Sequence, residues 1–68
     1  MAQLAYAPVL EAAPAPIFYS DCIRDIANEA LNGEHTHARI VGVAQHFGLS
    51  PASVDQDVNE QIEMLKDL

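Results

Sequence analysis

Positive charge is scarce in this sequence. Its 68 residues contain three lysines and arginines against ten acidic residues, which gives a formal net charge of −7. Proteins that bind nucleic acids gain much of their affinity by neutralising phosphates with Lys and Arg. Proteins that bind anionic membrane surfaces use the same residues. The charge balance therefore disfavours both kinds of partner and favours a protein with a basic surface.

Cysteine and long apolar runs are also lacking. Cys22 is the single cysteine, so no disulfide can form within the chain, and we expect a cytoplasmic protein. No apolar run approaches the roughly 20 residues that span a bilayer. The N-terminus lacks the basic segment of a signal peptide. We therefore expect neither a membrane segment nor a leader.

Residues 1–18 differ in composition from the rest of the chain. Pro8, Pro14 and Pro16 lie here with a single charge, Glu11, and the prolines exclude a continuous helix. The apolar residues between them are Leu4, Tyr6, Val9, Leu10, Ile17 and Phe18. Two hypotheses remain open for residues 1–18: a disordered extension, or an extended arm that lies across its own domain or a second subunit.

Residues 19–68 are predicted to form an all-α domain of three helices. Apolar residues recur at spacings of three and four, which predicts helices near 20–32, 37–47 and 51–67. Ser20, Thr36 and Ser50 are the candidate N-cap residues of the three helices. Asn32-Gly33 and Gly48, which tolerate left-handed backbone, are predicted to end the first two helices.

The segment from Val43 to Val58, VAQHFGLSPASVDQDV, resembles a helix-turn-helix. Ala44 stands where that motif needs a small residue, and Gly48 stands where its turn needs a positive φ. The Leu-Ser-Pro-x-x-Val run is similar to the start of the recognition helix in LuxR-type and sigma region 4-type domains. The predicted buried positions of the motif are Val43, Phe47, Leu49, Val54 and Val58. The resemblance implies that the exposed face of the third helix contacts the partner, which in the family is the DNA major groove.

This third helix is acidic, which departs from the family. Its candidate partner-binding residues are Asp55, Gln56, Asp57, Asn59 and Glu60. One interpretation is an ordinary solvated face; the other is a surface recognised by a basic protein. The leading hypothesis is a small acidic regulator, such as a phage or plasmid DNA-mimicking inhibitor, that binds a DNA-binding or transcription protein.

The alternative hypothesis is a dimeric helix-turn-helix regulator that binds DNA. Ser53, Gln56 and Asn59 would contact bases and Arg39 a phosphate. A third hypothesis is an assembly adaptor that acts through its apolar N-terminal arm.

An apolar stripe near the C-terminus is the candidate dimerisation surface. It consists of Val58, Ile62, Leu65 and Leu68. A chain this short buries only about 60% of its unfolded surface, so its stability as a monomer is marginal and we expect a homodimer. The same spacing also fits a stripe that completes the core of one chain.

The histidines offer a weaker hypothesis of metal binding or catalysis. His35, His37 and His46, with Cys22, are candidate metal ligands. Alternate residues at a helix start need not converge, and no second cysteine is available, so we interpret the histidines as turn and surface residues. A Cys22–His nucleophile pair lacks room for a substrate pocket. The sequence thus predicts no metal, no cofactor and no enzymatic activity.

Overall fold

A computed structural model describes residues 16–68, and these residues form three α-helices. The helices are α1 (Tyr19–Leu31), α2 (His37–Phe47) and α3 (Pro51–Lys66), and no strand occurs among the described residues. The predicted all-α, three-helix fold is confirmed, and each helix begins and ends within one residue of its predicted position. Of the predicted arm over 1–18, residues 1–15 lie outside the described residues. No helix within 16–68 has the length and apolar content that crossing a bilayer requires.

The core consists of eight aliphatic side chains, contributed by all three helices. They are Ile23, Ile26 and Ala27 of α1, Ile40, Val43 and Ala44 of α2, and Val54 and Val58 of α3. No polar or charged side chain is buried among residues 16–68. Each large side chain buried in this way stabilises the fold by about 1.5–3 kcal/mol. The core is therefore built entirely from the apolar stripes that the sequence spacing predicts.

Glycines end α1 and α2, as predicted. Gly33 has φ 85° and Gly48 has φ 69°. After α2, the Leu49 amide donates to the Ala44 carbonyl oxygen at 2.8 Å, and the Gly48 amide donates to the Gln45 carbonyl oxygen at 3.4 Å. This pair of bonds is a Schellman motif, which satisfies carbonyls that the helix end leaves free.

The helix starts follow the N-cap predictions only in part. Ser50 caps α3, since its Oγ accepts a hydrogen bond from the Ser53 amide at 3.2 Å and Pro51 follows it. Thr36 occupies the N-cap position of α2, but its side chain makes no capping bond. The prediction for Ser20 is wrong. The Phe18 carbonyl already accepts from the Cys22 amide at 3.2 Å, so Phe18 is the N-cap of α1 and Ser20 lies inside the helix.

Leu49 differs from its predicted burial, whereas Val58 is buried as a core position of the predicted motif and not exposed as a dimer interface would require. Leu49, predicted as buried, is 43% exposed, because it follows the left-handed turn at Gly48 and belongs to neither helix. Val58, predicted at a dimer interface, is only 2% exposed and packs in the core of its own chain. Ile62 and Leu65 pack partly against the same core, and Leu68 is exposed. The stripe thus begins by completing the core, and Val58 has no surface left for a second subunit.

Replacing Ser50 with alanine tests the capping of α3. Because the capping bond to the Ser53 amide is lost, we expect Ser50→Ala to lower the free energy of unfolding by about 1 kcal/mol. The matched control is Ser20→Ala, which lies within α1 and should be neutral or slightly stabilising. Urea denaturation followed by circular dichroism measures both variants. Equal destabilisation by the two substitutions would contradict this assignment of the caps.

Candidate functional site

The predicted partner-binding residues divide between two sides of α3. Asp55, Gln56, Asn59 and Glu60 are exposed, whereas Asp57 is half-buried and accepts a hydrogen bond from the Tyr19 hydroxyl at 2.5 Å. Residues two apart on a helix are separated by about 200° around its axis. Since Val54 and Val58 face the core, Asp55 is directed outward and Asp57 towards α1. The candidate site therefore keeps four of its five predicted residues, and Asp57 belongs to the contact between α1 and α3.

Side chains on the exposed side of α3 are connected by two hydrogen bonds. The Asn59 amide donates to Asp55 at 3.3 Å, and the Gln56 amide donates to Glu60 at 3.4 Å. Both are exposed bonds between residues four apart, a spacing that places side chains next to each other on a helix. Each carboxylate keeps further lone pairs for a partner. Together with exposed Glu63, one turn from Asn59 and Glu60, these residues form what we call the outer face of α3.

Basic residues do not form a patch anywhere on the described surface. Each lies beside an acidic residue: Arg24 with Asp21, Arg39 with Glu29, and Lys66 with Glu63. All three Lys and Arg residues of the sequence fall within residues 16–68. Exposed pairs of this kind contribute only about 0–1 kcal/mol to stability. The neighbouring carboxylate would also repel any phosphate that approached the cation.

The residues predicted to bind DNA in the alternative hypothesis do not lie together on one basic surface. They are Arg39, Ser53, Gln56 and Asn59. Arg39 lies on α2 and pairs with Glu29 of α1, away from the outer face of α3. Ser53 accepts a hydrogen bond from the Ser50 hydroxyl at 2.9 Å, within the cap of α3. The amides of Gln56 and Asn59 already donate to acidic neighbours. Arg39 would have to leave Glu29 to reach a phosphate, and it lies on a different helix from the three residues that would contact bases.

Tyr19 connects all three helices, and sequence reasoning did not identify it. It begins α1, its hydroxyl reaches Asp57 of α3, and its ring packs edge-on against Phe47 of α2 with 5.3 Å between ring centroids. Burial first, and then the hydrogen bond to Asp57 and the charge of that carboxylate, raise the pKa of Tyr19 to about 12. The one sequence signal for this contact was the position of Asp57. It lies two residues from Asp55 and therefore close to the apolar stripe of α3, where its carboxylate needs a partner within the fold.

A groove lies between α1 and α2. Its lining is mainly apolar, whereas the outer face of α3 is acidic. The groove has a volume of about 260 Å³, and Ile17, Cys22, Ala38, Gly42 and Phe47 are among the residues that line it. The sequence did not predict it, because it depends on how the two helices pack. Cys22 is half-buried there as a free thiol.

The histidines do not converge. His35, His37 and His46 are all exposed. Within residues 16–68, no group of three or more His, Cys, Asp or Glu side chains is placed to hold a metal ion.

Comparison with known proteins adds no relative: no protein-family model, no curated protein and no solved structure matches the chain. The helix-turn-helix resemblance therefore stays a prediction, carried by the residues from Val43 to Val58 alone. What the chain does has to be argued from its own surface.

Removing the Tyr19 hydroxyl tests the contact between α1 and α3. We expect Tyr19→Phe to lower the free energy of unfolding by about 1–2 kcal/mol, because half-buried Asp57 loses its donor while the ring still packs against Phe47. A double-mutant cycle with Asp57→Ala isolates the coupling between the two side chains. Coupling indistinguishable from zero would contradict this contact.

The same contact predicts a dependence on alkaline pH. In the unfolded chain Tyr19 ionises near its ordinary pKa of 10.0, whereas in the folded chain its pKa is about 12. The stabilisation of the folded state by the contact between Tyr19 and Asp57 is therefore fully present below pH 10, and it is lost as the pH rises from 10 towards about 12. Measured by urea denaturation, the parent should lose more stability over this interval than Tyr19→Phe. Parallel profiles would overturn this explanation.

Proposed function

We propose that this protein is a small acidic regulator that binds a basic protein through the outer face of α3, and thereby inhibits or modulates a DNA-binding or transcription protein. The observation that carries the proposal is the group of exposed carboxylates on the outer face of α3, beside which Lys66, paired with Glu63, is the one basic residue of that helix. Exposed carboxylates of Asp55, Glu60 and Glu63 lie together on one helix face, whereas every Lys and Arg lies beside an acid. Such a surface attracts a basic partner and repels phosphates.

The spacing of these carboxylates supports mimicry of a nucleic-acid strand. Asp55 and Glu63 are eight residues apart, which corresponds to about 12 Å along the helix axis. A single strand of duplex DNA carries about three to four phosphates over the same length of its axis. The outer face carries three acids in that interval. Its charge density is thus close to that of one strand, so it suits a protein site that normally holds a phosphate backbone.

Neutral polar groups beside the carboxylates add directional contacts. Gln56 and Asn59 lie between the acids, and each amide has a carbonyl oxygen in addition to the NH₂ group that donates to its acidic neighbour. Arginine is the residue best suited to such a surface, because its planar guanidinium donates two parallel hydrogen bonds to one carboxylate. The proposal therefore names an arginine-rich surface as the preferred partner chemistry.

A matched pair of double variants tests the outer face. Asp55→Asn with Glu60→Gln removes two charges from it, and Asp25→Asn with Glu34→Gln removes two charges elsewhere at exposed positions. Each tagged chain captures proteins from nuclease-treated lysate of the source cells, and quantitative mass spectrometry compares them. We expect the outer-face variant to lose about tenfold of a captured DNA-binding protein, since close charge pairs contribute about 1.5 kcal/mol or more. The control variant should retain it.

Two further measurements test whether the captured protein binds through a basic, DNA-binding site. Short duplex DNA added to the captured complex should release the partner, because both ligands would occupy one basic site. Raising the salt concentration should weaken the complex, since exposed charges are screened. Equal capture by the two double variants would sink the assignment of the outer face.

DNA binding by the chain itself is the competing hypothesis, and a gel-shift assay at low salt addresses it. DNA-binding proteins show non-specific dissociation constants of about 10⁻⁴–10⁻⁶ M at physiological salt and bind more tightly at low salt. We expect no retarded band with random-sequence duplex DNA at micromolar protein. A band that disappears in Gln56→Ala and Asn59→Ala would instead favour the helix-turn-helix regulator.

A further inference from the structure

The groove between α1 and α2 leaves apolar side chains uncovered within residues 16–68. Ile17, which lines the groove, is 59% exposed, and the adjacent Phe18 is 58% exposed. The groove volume of about 260 Å³ is smaller than the roughly 300–1,000 Å³ of sites for drug-sized molecules. It matches a few apolar side chains of a peptide segment better than a small-molecule ligand.

Gly42, in the middle of α2, points to a segment that approaches closely. Its backbone is helical, since Gly33 and Gly48 are the glycines with positive φ among the described residues. A Cβ atom at Gly42 would meet no atom of residues 16–68 within 4 Å. Glycine there costs about 1 kcal/mol of helix stability relative to alanine. Its missing side chain leaves room for a peptide to lie against α2 at this point.

We propose that residues 4–10 of the same chain cover this groove with their apolar side chains. Residues 1–10 contain no acidic or basic side chain, and Leu4, Tyr6, Val9 and Leu10 alternate with small residues and Pro8. An uncharged segment suits the groove, because its single arginine, Arg39, is already paired with Glu29. The proposed contact is thus apolar and separate from the acidic outer face of α3.

The connection between the segment and the groove favours the same chain over a second copy. Ile17 lines the groove, so the chain that precedes it starts at the groove itself. The seven Cα–Cα steps from Leu10 to Ile17 can span at most about 25 Å, which exceeds the length of α2 and is enough for the segment to turn back across the groove. A short tether of this kind gives an effective concentration in the millimolar range. To compete for the groove, the same segment of a second protein molecule would have to be present in solution above that effective concentration.

Cys22 provides a direct reporter of the groove, because it lines the groove and is the single cysteine of the chain. A small aromatic disulfide reagent labels the thiol of the full chain under native conditions. We expect Val9→Asp with Leu10→Asp to raise the labelling rate at least tenfold, since exposing two apolar side chains costs more than the roughly 1.4 kcal/mol that corresponds to a factor of ten. The matched control, Ala12→Asp with Ala13→Asp, adds the same charge outside the segment and should leave the rate unchanged.

A variant on the groove side provides the reciprocal measurement. Gly42→Glu introduces a charged side chain where no described atom is displaced. It should speed cleavage after Tyr6 by chymotrypsin about tenfold, because the segment loses its apolar site. Gln45→Glu adds an acid at an exposed position of α2 and should not. Circular dichroism verifies that each variant keeps its helices.

The outcomes separate the possible occupants. Labelling of Cys22 that is equally fast in the parent, the segment variant and its control means that the groove is open, and overturns the proposal. Protection that weakens as the protein is diluted means that a second copy supplies the segment, and also overturns it. Protection that is independent of concentration and lost in both variants supports it. Because the outer face of α3 is unchanged throughout, these outcomes do not depend on the proposed regulatory function.

Discussion

The rotation of α3 about its own axis governs the surface chemistry of this protein. Val54 and Val58 are buried in the same core as Ile26 and Ala27 of α1, and this burial fixes which side of the helix faces inward. Every other side chain of α3 then takes its direction from the helical repeat. The carboxylate of Asp55 must face solvent. Two aliphatic residues therefore decide which acids are free for a partner and which are taken up by the fold.

Acids in this chain consequently have two different roles. Asp57 accepts the Tyr19 hydroxyl, and Glu29 pairs with Arg39, so both connect one helix to another. The acids of the outer face of α3 make contacts only within their own helix. These two sets hold five of the ten acidic residues that, with three basic ones, give the formal charge of −7. In the proposed function only the second set would contact the partner, because a carboxylate that already accepts from a half-buried tyrosine has less to offer it.

The helices and their core could be predicted from the sequence because both depend on local periodicity. Spacings of three and four placed Ile26, Val43 and Val58 on inner faces, and the glycines marked where two helices end. The predictions that were wrong or missing concern helix ends and contacts between residues far apart in the sequence. Ser20 is a good N-cap residue, yet α1 begins one residue earlier, where Tyr19 reaches Asp57. No local pattern identifies that contact, since its partners are 38 residues apart.

The candidate site was predictable only as far as helical geometry reaches. Asp55 and Asp57 were predicted to lie on one face, although residues two apart on a helix point about 200° away from each other. With Val58 facing the core, they lie on opposite sides of α3. The groove between α1 and α2 was beyond sequence reasoning, because it arises from the relation between two helices and from the side chain that Gly42 lacks.

The two surfaces also differ in the force that would operate on them. Contacts at the outer face of α3 are electrostatic, so salt weakens them over a Debye length of about 10 Å at 0.1 M. Contacts in the groove are apolar, and salts such as sulfate that are excluded from protein surfaces strengthen them. A chain with so few aliphatic side chains in its core has little apolar surface to spare. The proposed covering of the groove would therefore add to stability, whereas the proposed binding at the outer face would leave the core unaltered.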